Sequence, residues 1–149
     1  MSEHDLLEVV EIEETCGLSL WGWEGYRAEL ERPESIMLVA RAPSETEDGK
    51  RLNGFIAARV TAGELHVNNV GVRPSARRRG LGSALLRATF ERASQMGAQV
   101  AVLEVRAGNT VAQSVYGRQG FVVAGRRRNY YREPTEDALV MTTPLETIA

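Results

Sequence analysis

Hydrophobic spacing changes period several times along the chain, and each change marks an element. Leu6, Leu7, Val9, Val10 and Ile12 recur at helical rather than alternating intervals. Asp5 stands before them as an N-cap and Glu8 follows three residues on, which predicts an amphipathic helix. Ser19-Leu20-Trp21-Gly22-Trp23 reads as a turn, and a second helix is expected to run to about Glu31 and close at Pro33. The pattern then becomes that of strands over Ile36–Arg41 and Leu52–Val60. Their polar connection, Pro43–Lys50, contains Asp48-Gly49 and suits a hairpin loop. Thr61-Ala62-Gly63-Glu64 is a second turn, leading into a strand over Leu65–Val72. Helical spacing returns near Leu81–Met96 and again near Thr110–Arg118, with a strand at Gln99–Val105 between them. Further strands are expected near Phe121–Arg126 and Asp137–Thr143. Hairpins first and strand–helix–strand units later predict an α/β (α+β) chain, a mixed sheet with helices on its faces.

Neither repeats nor linkers interrupt this pattern, so residues 1–149 are read as one domain, long enough for a real core. No apolar stretch approaches the ~20 residues that span a membrane. The acidic start Met1-Ser2-Glu3-His4-Asp5 does not resemble a secretory signal, and a cytoplasmic location is expected. The single cysteine, Cys16, excludes an intramolecular disulfide and a cysteine-built zinc site, and reads as a small packing residue. No metal is expected. Net charge is −2, but residues 1–50 hold 13 acids and 4 bases, whereas 51–149 hold 7 acids and 14 bases. That asymmetry suggests an acidic half facing something cationic and a basic half facing a polyanion. Two solvated surfaces that neutralise each other would read the same way.

The candidate chemistry begins where the strand ending Val70-Gly71-Val72 passes through Arg73-Pro74-Ser75-Ala76 into Arg77-Arg78-Arg79-Gly80-Leu81-Gly82-Ser83. Glycines let the backbone approach a ligand, and the first turn of a helix offers unpaired N–H groups at its positive end. A phosphate site is implied. No Gly-Lys-Ser/Thr follows, and a third glycine is missing, so this is neither a P-loop nor a dinucleotide fingerprint. Downstream, Glu104 sits in the apolar strand Val100–Val105, where a carboxylate must be paired, hydrated or shifted in pKa. Asn109 starts the next helix as an N-cap or a ligand contact, and Tyr116 lies two turns on. His66 reads as an alternative base or a half-buried strand residue.

These residues together resemble the Gcn5-related N-acetyltransferase superfamily. The matching pattern is Val70-Gly71-Val72, Arg77-x-x-Gly80-x-Gly82 and Asn109-x-x-Ala112-x-x-x-Tyr116-x-x-x-Gly120-Phe121. Leu103-Glu104-Val105-Arg106, Arg127-Arg128-Asn129-Tyr130-Tyr131 and Glu136-Asp137-Ala138 are similar to the bacterial ribosomal-protein-alanine branch. The resemblance implies a mostly antiparallel sheet of six to seven strands with helices on both faces, its first strand short or missing. It implies acetyl-CoA as donor. Backbone groups of Val70, Gly71 and Val72 would pair with the pantetheine arm. Arg77, Arg78, Arg79, Gly80, Leu81, Gly82 and Ser83 would hold the pyrophosphate, with Asn109 on the opposite side. Glu104 would be the general base, and Tyr116 the proton donor to the departing thiolate. Tyr130 and Tyr131, by way of a loop before Pro134, would border the acceptor cleft, and Trp21 and Trp23 would line it from the N-terminal side or simply pack in the core.

The implied acceptor is a peptide or protein N-terminus, on a basic small-subunit ribosomal protein, with no direct nucleic acid or membrane partner and a monomer or weak dimer as the working form. The amine must be neutral to attack. At pH 7 roughly a tenth of an α-amine (pKa ~7.7–8.0) is neutral, but under a thousandth of a lysine (pKa ~10.4). Three readings compete: an acetyltransferase of small-molecule amines, a non-catalytic acyl-CoA sensor, and a nucleic-acid module using the arginines.

Overall fold

The computed structural model describes residues 1–43 and 49–145. Two helices come first, α1 (Leu6–Thr15) and α2 (Gly22–Leu30), then three strands, β1 (Ser35–Arg41), β2 (Leu52–Thr61) and β3 (Glu64–Val72). There follow α3 (Leu81–Gln95), β4 (Val100–Arg106), α4 (Thr110–Arg118), β5 (Val122–Arg132) and β6 (Thr135–Pro144). The strands form one sheet in the order β1-β2-β3-β4-β6-β5. All neighbours are antiparallel except β3 and β4, whose crossover is α3. Among the described residues no strand precedes α1. No helix there is long and apolar enough to cross a membrane.

The helices cover both faces because the buried strands carry apolar residues on both sides. On one face Leu85, Leu86 and Ala93 of α3 pack against Ile56, Ala58, Leu65 and Leu103, and α4 adds Ala112, Val115 and Tyr116. On the other, Leu6, Val9, Ile12 and Tyr26 pack against Met37, Leu52, Phe55 and Ala57. Cys16 lies at the margin of this second core, as a packing residue would.

Several local expectations change in the folded chain. Asp5 does not cap α1 with its side chain; it reaches back to the Ser2 N–H at 2.9 Å and pairs with both Arg41 terminal nitrogens at 3.0 Å. Glu8 accepts from the Arg51 and Leu52 backbone N–H groups and from Arg73. The Asp48 half of the expected hairpin signal lies outside the described residues, but β1 and β2 are antiparallel up to Arg41 and Leu52. The acidic first third is also less available than its charge suggests. Asp5, Glu8, Glu11 and Glu29 are paired with Arg41, Arg73, Lys50 and Arg59, and Glu13 is buried. Five of the thirteen acids of residues 1–50 are therefore engaged inside the fold.

One irregularity positions the site. Ala57 pairs with Asn69 and Ala58 with Val67, leaving Asn68 as an extra residue on β3. Such a bulge bends its strand and resets which side chains face which way. Leu65, Val67 and Val70 face the α3 core, whereas Asn69 and Gly71 turn toward α1 and α2. A Cβ on Gly71 would lie 2.8 Å from Ile12 and 3.1 Å from Leu18, so glycine is required here by helix packing. Pairing of β3 with β4 ends at Val67–Leu103, immediately before the bulge, and the edge of β3 beyond it that faces β4 has no strand partner.

Candidate active site

The phosphate cradle forms where β3 runs out. Pro74–Ala76 make one 3-10 turn, Arg78 adopts φ 65° and Gly80 φ 74°, and α3 begins at Leu81. At Gly80 the left-handed backbone itself calls for glycine, since an added Cβ would meet nothing within 4 Å. The backbone N–H groups of Arg78, Arg79, Gly80, Leu81, Gly82 and Ser83 enter no hydrogen bond among the described residues. Consecutive free donors at the positive end of a helix of about four turns suit phosphate oxygens. Arg77 is used differently from its neighbours: its Nε donates to the Val72 carbonyl at 3.2 Å and its Nη2 lies 3.5 Å from Cys16 Sγ. The Cys16 thiol donates to the same carbonyl. Arg77 thus braces the turn, while Arg78 and Arg79 are exposed. Val70 and Gly71 lie on the unpaired stretch of β3, next to Val72.

Glu104 is the first residue of β4 beyond the last β3–β4 pair, and its side chain is 10% exposed. It points to the α1/α2 face, as alternation with the buried Leu103 and Val105 dictates. Its Oε2 is 2.6 Å from His66 Nε2, and its Oε1 is 3.6 Å from Arg127 Nε. The hydrogen bond from His66 holds the Glu104 carboxyl below the ordinary range; burial works against this, and Arg127 adds to it. The same bond holds the His66 imidazole above its usual range. Arg106, the other arginine next to Glu104 in sequence, pairs with Glu136 instead and stacks 4.3 Å over the Tyr131 ring.

A cleft of ≈ 100 Å³ opens here, lined by Ser19, Trp21, His66, Asn68, Glu104, Tyr130 and Tyr131. Trp21 and Trp23, both expected at this border, both pack against the second core, but only Trp21 also lines the cleft. The reason is Glu13, a buried carboxylate that accepts from the Trp21 and Gly22 N–H groups and from Tyr26 Oη, anchoring the start of α2. Asn69 completes that network by donating to Tyr26 Oη and to the Ser19 carbonyl. Tyr130 and Tyr131 lie on β5 itself rather than on a loop. Between the pairs Arg127–Ala138 and Tyr131–Glu136, β5 carries two more residues than β6. Asn129, at φ 51°, tucks its N–H onto Asp137 within this bulge. The tyrosines are carried to the cleft mouth by it. Ser19 and Asn68 carried no recognisable signal in the sequence, and Arg127 stood out only as part of a family-like run with no role at this site. Only the bulges and the register bring them in.

Tyr116 belongs to the opposite face, packed edge-on against Phe121 at 5.9 Å. Burial pushes its phenol up to about 12, and no hydrogen bond among the described residues uses its hydroxyl. Asn109 caps α4, accepting from the Ala112 N–H at 3.0 Å through Oδ1. Its amide nitrogen has no partner among the described residues.

The cradle and the unpaired β3 edge fit a long phosphate-bearing acyl carrier, and Glu104 looks onto a separate cleft suited to an amine. That division of labour defines a coenzyme A-dependent N-acyltransferase. The chain belongs to the Acetyltransferase (GNAT) family, which it matches over residues 6–121, and its donor is acetyl-CoA. It is 37% identical over 102 residues to the [ribosomal protein bS18]-alanine N-acetyltransferase of Escherichia coli K12, covering 67% of this chain and 68% of that one. It is 33% identical over 125 residues to the N-alpha-acetyltransferase RimI of Mycobacterium tuberculosis H37Rv, covering 81% and 73%. The crystal structure of the Escherichia coli ribosomal-protein-S18-alanine N-acetyltransferase superposes with a TM-score of 0.81 at 29% identity, covering 100% of this chain and 92% of that one.

Proposed function

We propose that this protein transfers acetyl to the α-amine of a protein N-terminus that begins with a small residue. The relatives named for bS18 make the alanine terminus of a basic small-subunit ribosomal protein the first candidate. The observation that carries this reading is Glu104 at the apex of the β3–β4 split, inside a narrow cleft walled by Trp21, Tyr130 and Tyr131. The rings of Trp21, Tyr130 and Tyr131 wall the approach to Glu104, which favours an acceptor with a small first side chain.

When bound, acetyl-CoA supplies a thioester: the nitrogen–carbon bond forms at its carbonyl as the carbon–sulfur bond breaks. Glu104, ionised at neutral pH, accepts the proton that the acceptor nitrogen loses. Backbone N–H groups of Arg78 to Ser83 hold the pyrophosphate, and the β3 edge from Val70 to Val72 orients the arm. The Asn109 amide nitrogen is placed to donate from the α4 side. Tyr116 keeps its proton throughout the neutral range. A thiol near ~8.5 is a stronger acid than that phenol, so Tyr116 stabilises the departing sulfur by donating a hydrogen bond. The proton that ends on sulfur comes by way of solvent from the one Glu104 collects.

Peptides starting with Ala, Ser, Leu or Trp, each also containing an internal lysine, test the assignment by mass spectrometry after incubation with acetyl-CoA. Acetyl is expected on the α-nitrogen, with Ala and Ser well ahead of Leu and Trp. Modification confined to lysine side chains, or equal rates on all four termini, would overturn the reading.

A further inference from the structure

The His66–Glu104 pair presents a conflict that the reaction has to resolve. Glu104 is read as the base, yet in the free enzyme it is tied to an imidazole at 2.6 Å and flanked by a guanidinium at 3.6 Å. A carboxylate held in an ion pair is a poor proton acceptor. His66 and Glu104 project from neighbouring strands on the same face, just on either side of the last β3–β4 pair. They differ in access: the His66 side chain is 41% exposed and that of Glu104 10%. The imidazole can therefore exchange its proton with water while the carboxylate faces the cleft.

We propose that His66 is the positioning residue of this base: its Nε2–H holds Glu104 Oε2 in place, and the loss of its second proton, from Nδ1, releases the basicity of the carboxylate for catalysis. The proposal rests on the reading of Glu104 as the base. In the protonated pair, imidazolium and carboxylate satisfy each other and the acceptor's proton has no strong base to go to. In the singly protonated imidazole the Nε2–H still orients Glu104, but the positive charge is gone. The proton balance is simple: His66 gives one proton to water before turnover, and Glu104 then takes one from the acceptor nitrogen. The groups facing His66 are Glu104 on β4, Glu64 on its own strand and Arg127 on β5. The two carboxylates favour the protonated imidazole and Arg127 opposes it. Tyr130 and Tyr131 complete the surroundings.

The test compares wild type, His66→Gln and Glu104→Gln over pH 5.5–9 with an alanine-starting peptide and saturating acetyl-CoA. The peptide's own amine titrates identically in all three, so differences between profiles belong to the enzyme. A group titrating above ~6.5 is at least tenfold protonated at pH 5.5. His66→Gln keeps an N–H donor but cannot titrate. Its alkaline rate is expected to fall severalfold, but the fraction of that rate surviving at pH 5.5 should exceed the wild-type fraction by at least about tenfold. His66 imidazole titration followed by NMR supplies a second readout: the midpoint should drop in Glu104→Gln. Profiles of wild type and His66→Gln that coincide after scaling, or an unmoved His66 midpoint, overturn the proposal. Glu104→Gln turning over like wild type would instead remove the underlying assignment of the base, and the two failures are thus distinguishable. Retained acetyl-CoA binding by each variant confirms folding.

Discussion

Glu104 has two cationic neighbours and one vacant side. His66 and Arg127 hold its charge, and the remaining approach opens into the cleft where an amine enters. Replacing it by Gln keeps the shape and removes the proposed base. kcat should fall by about 10²–10⁴-fold with acetyl-CoA affinity retained, measured by steady-state kinetics and calorimetry. Tyr116→Phe removes a hydrogen bond to a charged sulfur, a contribution of about 1.5–3 kcal/mol, so kcat should drop roughly 10- to 100-fold. An unchanged kcat in Tyr116→Phe would remove that residue from the reaction. Tyr116 was singled out by the family resemblance, and Glu104 was legible in the sequence because a carboxylate inside an apolar strand is unusual. The partnership of Glu104 with His66 was not. The two are 38 residues apart, and their contact depends on parallel register between β3 and β4.

The start of α2 is an element built around one buried charge. Glu13 is 1% exposed and gathers the Trp21 and Gly22 N–H groups with Tyr26 Oη. Glu13→Gln should cost about 1–3 kcal/mol, seen in urea unfolding, and should raise KM for peptide more than KM for acetyl-CoA, because Ser19 and Trp21 line only the acceptor cleft. The docking of α1 and α2 is also pH-sensitive. Burial alone would raise Asp5 and Glu29, but bonds from Arg41 and from Arg59 and Ser35 more than reverse this, and Lys50 and Arg73 lower Glu11. Carboxyls depressed in the folded state contribute stability that is present above their unfolded values, near ~4, and is lost as pH falls through the folded ones. Unfolding midpoints should therefore decline below about pH 4.5, and more shallowly in Glu29→Gln, where one such carboxyl is absent. Helix and strand periods revealed all of these elements, but not which of Trp21 and Trp23 reaches the cleft. Both tryptophans suit a turn and a helix start equally, and the buried carboxylate that decides between them sits eight residues upstream of Trp21.

At the scale of the whole molecule, the sheet holds two ligands apart. In the proposed arrangement the cradle and the β3 edge facing β4 take the donor, and the α1/α2 face takes the acceptor. Acetyl-CoA at a hundred times its Kd should stabilise the fold by about 2.7 kcal/mol, raising Tm by several degrees in a scanning experiment. Gly82→Val, which fills the cradle, should lose most of that shift. The charge asymmetry belongs to this scale as well: read linearly it suggested an acidic docking face, but four of the thirteen carboxylates, Asp5, Glu8, Glu11 and Glu29, hold α1 and α2 onto the sheet. By itself the sequence determined the order of helices and strands, the phosphate cradle and the family, because these depend on spacing within short segments. Tertiary structure alone decided where β3 and β4 part, which tryptophan meets the acceptor and which partner holds Glu104. Each of these depends on bulges and strand register, which are set by packing between segments far apart in the chain.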